Sequence, residues 1–200
     1  LQLAFTGPCH RLTESKYFFP IELREAGLIG WYGTYASPDG LVLLDRDSGR
    51  GACMTIFEAL RISHDIQREL AQKLIATQGD SAERHALFSQ LKQELAVHSV
   101  AEERHFYIPL MQQDAGVDLS RHAIAEHHQM DEMIEDLEAT DPSSPSWLAQ
   151  AKALAEKVEH HLREEERTFF QMAGKLLRDK EKQQLAGDYL SAYDEMKQAS

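Results

Sequence analysis

The sequence predicts an all-α protein, an up-down-up-down antiparallel four-helix bundle followed by one further helix. Three observations predict it. From Met54 onward apolar residues recur at helical spacing, the breaks between these stretches are short, and each stretch carries one apolar seam suited to a shared core.

The first helix is predicted over residues 55–77. It opens on Thr55-Ile-Phe-Glu58, a capping box whose hydroxyl and carboxylate can satisfy the first free amides. Gly79-Asp80-Ser81 separates it from a second helix over 82–112, and Asp114-Ala-Gly116 reads as the next break, before a third helix over 119–139. Asp141-Pro-Ser-Ser-Pro145-Ser146 precedes a fourth over 147–173, and a more polar fifth spans 176–197. Connections this short place successive helices antiparallel. The bundle is therefore assigned to 54–175 and the C-terminal helix to 176–200.

Residues 1–53 are rich in Gly, Pro and aromatics and hold no sustained period, so they are predicted to be an N-terminal extension with little regular structure, a short strand such as Leu41–Leu44 apart. A helix starting one residue after Met54 raises two readings of this segment: upstream translation before a native start at Met54, or a genuine extension. The intact mass of the native protein separates them.

Charge and composition exclude several classes. The formal charge is −12. Residues 1–53 hold 5 basic and 6 acidic residues, whereas 54–200 hold 16 and 27, so the helical part carries −11. Such a surface repels nucleic acid and anionic lipid, and neither is an expected partner. No apolar run reaches the length of a membrane span and the N-terminus lacks the order of a secretory signal, so a cytoplasmic location is expected. Both cysteines, Cys9 and Cys53, precede Met54, so a metal in the helical part must be held by imidazole and carboxylate.

Nine of the ten histidines follow residue 60. His-x-x-x-Glu occurs five times, starting at His98, His122, His128, His160 and His161. Only His98/Glu102 and His161/Glu165 continue the apolar seams; the others lie one residue off and face outward. A four-residue step is about one helical turn, so each inward pair stacks on one face and can reach one metal. His64 and His127 face them from the remaining helices.

The spacing is more specific than the motif. His64, His98 and Glu102 recur as His127, His161 and Glu165, each displaced by 63 residues. The same shift maps Glu103-Arg104 onto Glu166-Arg167, Phe106-Tyr107 onto Phe169-Phe170 and Leu74 onto Leu137. Two such copies facing each other make a pseudo-twofold site for two metals, with Glu102 and Glu165 bridging between them. Two carboxylates in a bundle core without cations would cost several kcal/mol each. Imidazole and carboxylate without thiolate favour iron or manganese over structural zinc, with iron preferred.

The motifs Ser63-His64-Asp65, His98-x-x-x-Glu102-Glu103, Glu126-His127-His128 and His161-x-x-x-Glu165-Glu166 resemble the hemerythrin HHE cation-binding family over about residues 55–173. The resemblance implies two non-haem iron ions with an oxo or hydroxo bridge inside a four-helix bundle. It makes His64, His98, His127 and His161 terminal ligands and both glutamates bridging. Oxygen-carrying members add a histidine one turn before the third-helix ligand, where this chain has Ala123. An open coordination position follows, unless His105, one turn after Glu102, fills it. Glu103 and Glu166 are expected to be solvated or to support the ligands, and Tyr107 and Phe170 to be core packing.

Ferritin-like di-iron proteins need Glu-x-x-His twice. Glu102-Glu103-Arg104-His105 supplies it once, and its counterpart ends in Thr168. His-Glu-x-x-His, the zinc hydrolase string, is absent. The expected function is binding or sensing of dioxygen, peroxide or nitric oxide, or handling of iron. The rival is an enzyme: a di-iron peroxidase, a nitric-oxide reductase or an iron–sulfur cluster repair factor.

Overall fold

The computed structural model describes residues 32–37, 40–45 and 51–199. Helix α1 is Ile56–Ala76. Helix α2 is Ala82–Glu102, and its rod continues through a π-helical turn, Glu103–Tyr107, into a last turn, Ile108–Leu110. Helix α3 is Asp114–Ala139. Helix α4 is Pro145–Glu164, continued by a second π-helical turn, Glu165–Phe169, and by Phe170–Leu176. Helix α5 is Asp179–Ala199. Around the bundle α1 packs on α2 and α4, and α3 on α2 and α4, while α5 lies across α1 and α2.

Local chemistry sets these limits. Both the Thr55 amide and its hydroxyl donate to Glu58 at 2.7 and 2.8 Å, closing the start of α1. Ser81 and Ser144 each accept the amide three residues on, Arg84 at 3.1 Å and Trp147 at 3.2 Å. Gly79, at φ +60, makes the reversal between α1 and α2 in the left-handed region that glycine enters without penalty.

Helix α3 begins five residues before its predicted start, because Asp114-Ala-Gly116 is helical and the break falls at Met111–Gln113. Gly116 serves close approach instead of a turn: a Cβ there would lie 2.3 Å from the Leu110 carbonyl oxygen. Gly116→Ala is therefore expected to push α3 off the end of α2 and destabilise the fold by about 1–3 kcal/mol. Urea unfolding checks this, and an unmoved midpoint would refute it.

Ahead of the bundle, strands β1 (Tyr32–Ser37), β2 (Gly40–Asp45) and β3 (Gly51–Cys53) form an antiparallel meander in the order β1-β2-β3. Ser37 pairs with Gly40 and Val42 with Cys53. The expected strand at 41–44 lies inside β2, but the segment holds more regular structure than its lack of period suggested. Strands of three to six residues are too short to show a period, and the turn-forming string Pro38-Asp39-Gly40 is the sequence signal for this hairpin. Cys9, and with it residues 1–31, lies outside the described residues.

The bundle core comes in two apolar clusters. One gathers Ile56, Leu60, Phe106, Tyr107, Leu110, Phe169, Phe170 and Tyr189; the other gathers Leu74, Leu91, Leu137, Trp147, Leu154 and Leu162. A layer of buried His and Glu side chains lies between them. Arg84 rivets the far end, with its guanidinium on Thr77 and on the Pro142 carbonyl, 4.7 Å above the Trp147 ring. Among the described residues no helix is long and apolar enough to cross a membrane.

Candidate metal centre

The polar layer contains all six residues picked out by the 63-residue repeat. His64 comes from α1, His98 and Glu102 from α2, His127 from α3, His161 from α4 and Glu165 from its π turn. None exposes more than 4 % of its surface. Their donor atoms form two triads sharing one carboxylate: His64, His98 and Glu102, then Glu102, His127 and His161, with the ligand atoms of each within 4.8 Å of one another. Glu102 Oε2 lies 3.1 Å from His98 Nε2 and 3.5 Å from His127 Nε2. Glu165 Oε2 is 3.2 Å from His64 Nε2.

Each imidazole is held from behind by its other nitrogen. His64 Nδ1 meets Glu166 at 2.8 Å and His127 Nδ1 meets Glu103 at 2.9 Å, a pair related by the repeat. His161 Nδ1 meets Glu126 at 2.9 Å, and His98 Nδ1 meets Ser63 Oγ at 2.9 Å. Ser63 and Glu126 are also 63 residues apart. Ser63 passes its own hydrogen to Glu94 at 2.9 Å, so its oxygen accepts from His98; Lys157, the repeat mate of Glu94, donates to Glu126 at 2.6 Å. With a proton on its Nδ1, each neutral imidazole turns its Nε2 lone pair inward, as a metal ligand requires.

The four Nε2 atoms converge, and two of them have no partner. His127 Nε2 and His161 Nε2 stand 3.1 Å apart. His64 Nε2, His98 Nε2, Glu102 Oε1 and Glu165 Oε2 are buried and have no hydrogen-bond partner. Buried unpaired acceptors facing each other are costly unless a cation sits between them.

The electrostatics show the same demand. Burial would lower the His64 pKa, but the carboxylates of Glu165 and Glu166 beside its two ring nitrogens outweigh it and raise it to about 9. His98 is held well below the ordinary value, first by burial and then by repulsion from His64 and His127. Burial acts against the Glu126 carboxylate, but His161 and Lys157 outweigh it and lower its pKa to about 2. The carboxylates of the layer thus favour positive charge on the imidazoles His64 and His127 that they face.

Two positions differ from expectation, and one cause explains both. The Tyr107 hydroxyl donates to Glu102 at 2.9 Å and to Glu165 at 2.8 Å, so it joins the two carboxylates as well as packing the core. His105 is partly buried and belongs to neither triad. A π turn carries one more residue than an α turn, so after Glu102 the inward position passes from the residue three or four on to Tyr107, five on. The Tyr107 ring stacks on His127 at 5.7 Å, as its repeat mate Phe170 stacks on His64 at 5.9 Å. Tyr107→Phe would leave two buried carboxylate oxygens without a donor. In metal-free protein this is expected to cost about 1–3 kcal/mol in chemical denaturation, whereas a purely packing role would leave stability unchanged.

His122, His128 and His160 are exposed. Beside Ala123 a small cavity of about 10 Å³, room for roughly one water-sized molecule, is lined by Leu119, Ala123, Glu126, His161, Glu165 and Phe169, together with the exposed His122 and the partly exposed Glu164.

The profile of the hemerythrin HHE cation binding domain matches residues 55–173. A crystal structure of a hemerythrin HHE cation binding domain-containing protein from Mycobacterium kansasii is similar, with a TM-score of 0.67 and 26% identity, over 73% of this chain and 89% of that one. A protein named DNA nickase from Nostoc sp. is 26% identical over 145 residues, which is 72% of this chain and 41% of the relative. The chain thus spans about two fifths of the length of that curated relative.

Proposed function

The chain belongs to the hemerythrin HHE cation binding domain family, and from that premise we propose that it is a non-haem di-iron protein whose centre binds or senses dioxygen or a related small oxidant, or handles iron. One observation supports the reading: the four buried imidazoles converge as two triads around Glu102, with Glu165 beside His64, and His64 Nε2, His98 Nε2, Glu102 Oε1 and Glu165 Oε2 lack hydrogen-bond partners. The donors are nitrogen and oxygen only, since residues 54–200 contain no cysteine, and such a set suits iron better than structural zinc.

When bound, an iron pair supplies one-electron and two-electron redox chemistry toward small ligands. The chain supplies the rest. Glu102 offers carboxylate to both positions, and Glu103, Glu126, Glu166 and Ser63 hold the imidazoles in one tautomer and orientation. Tyr107 keeps a proton between Glu102 and Glu165. Phe106, Phe169 and Phe170 line one side and exclude bulk water. Where a fifth histidine would stand, Ala123 leaves the cavity beside His161, and this is the place for a small ligand.

We do not extend to this chain the nicking activity named for the Nostoc relative. The helical part carries 27 acidic against 16 basic residues, which opposes approach of a phosphodiester backbone.

The test uses full-length protein purified without oxygen and reconstituted with Fe(II). About two iron ions per chain are expected, with a visible charge-transfer band appearing on exposure to dioxygen, peroxide or nitric oxide. A band that vanishes when the gas is removed supports carriage or sensing, and irreversible turnover supports the enzyme alternative. Less than about half an ion per chain after reconstitution would overturn the reading.

A further inference from the structure

Three of the five His-x-x-x-Glu pairs are on outward faces, and one of them is unlike the other two. His122 Nε2 lies 3.8 Å from Glu126 Oε2 and 3.7 Å from Glu164 Oε1, and the three residues form a third cluster of ligand atoms within 4.8 Å of one another. These separations are too long for hydrogen bonds. They match ligands shared by one ion, since bonds of about 2.1 Å set neighbouring donors about 3–4 Å apart.

Position gives the cluster a use. Its exposed member His122 and partly exposed member Glu164 line the same cavity as the buried Glu126, His161 and Glu165. Glu165, whose buried Oε2 has no hydrogen-bond partner and lies 3.2 Å from His64 Nε2, belongs to that lining and links the cavity to the triads. Glu126 Oε2 serves both histidines, since the oxygen 3.8 Å from His122 is also the one 2.9 Å from His161 Nδ1. Lys157, on the other Glu126 oxygen at 2.6 Å, subtracts positive charge from what the cluster can hold, so an ion there is bound weakly and released readily.

We infer that His122, Glu126 and Glu164 form a third, transient cation position, the point at which a divalent metal ion enters the cavity on its way to the buried triads. The inference rests on the two-metal reading of those triads and adds a route to it. His128 with Glu132, the same motif at 3.5 Å, stands as a single pair outside the clusters found among the described residues and has no such role.

The experiment is an anaerobic titration of full-length protein with Co(II), read by visible absorption and by stopped-flow loading. His122→Ala/Glu164→Gln alters only exposed or partly exposed side chains, so the fold is kept, and His128→Ala is the control. Wild type is expected to take two tight ions and a third at least about tenfold weaker. The double variant should lose the third ion and fill the inner two at least about tenfold more slowly, to the same final occupancy, while the control loads like wild type. Loading of the double variant at wild-type speed, or retention of the weak third ion, overturns the entry position and leaves the buried centre untouched. Wild type taking no tight ions overturns the two-metal reading itself. A loading rate lost equally in His128→Ala would show general surface charge at work and would overturn the entry position.

Discussion

Glu102→Gln is expected to empty both metal positions together, reducing bound iron to below about half an ion per chain, while Glu165→Gln keeps the ion held by His127, His161 and Glu102. Glu102 is the one carboxylate shared by the two triads, whereas Glu165 belongs to neither and pairs with His64. The amide preserves volume and removes charge, so the core should still close. Losing even an outer partner of a metal ligand costs about 10- to 100-fold in affinity, and a shared ligand should cost more at each position. Elemental analysis of the two variants decides it. Equal losses would mean that both glutamates bridge alike.

Chelating the metal from the reconstituted protein should lower its thermal midpoint by roughly 8–16 °C, because an ion present at about a thousand times its dissociation constant adds about 4 kcal/mol to a chain of this size. The direction comes from the buried lone pairs, which repel one another in metal-free protein. Calorimetry with and without chelator measures the shift, and a change within about 2 °C would rule out a metal contribution to the fold.

Proton linkage of the metal-free state has a definite sign. The His64 pKa is raised from 6.5 to about 9, so the stability it contributes is complete below pH 6.5 and fades as pH rises through about 9. His98, lowered by burial, acts oppositely and withdraws stability as pH falls below its ordinary range. The loaded protein should be flatter across both limbs, since imidazoles that hold a metal cannot take up protons.

The bundle and its six inward residues were legible because a 3.6-residue period and a 63-residue repeat both act along the chain. His127 was separable from His128 by its place on the stripe of Met130, Ile134 and Leu137, and those three side chains are buried. The π turns were not legible, since inserting a residue into a helical turn leaves no mark in the period until the following side chains are seen to have rotated. That is why His105 looked inward and the Tyr107 hydroxyl went unassigned. The supports Ser63 and Glu126 did have a signal: each directly precedes a repeated histidine at the common offset. The tyrosines of α5 had none, because that helix has no counterpart in the repeat.

Helix α5 lies beyond the stretch that the family profile covers. Yet Tyr189 reaches His98 Nδ1 at 3.1 Å, Tyr193 donates to Glu94 at 2.6 Å and Lys197 pairs with Glu94 at 2.7 Å. These three residues, one turn apart in succession, complete behind His98 what Glu126 and Lys157 complete behind His161. A chain trimmed after Leu177 would still contain all six inward His and Glu residues, but one half of the centre would stand on an unfinished foundation. The unit that must be inherited, grafted or expressed intact is accordingly longer than the segment by which its kinship is recognised.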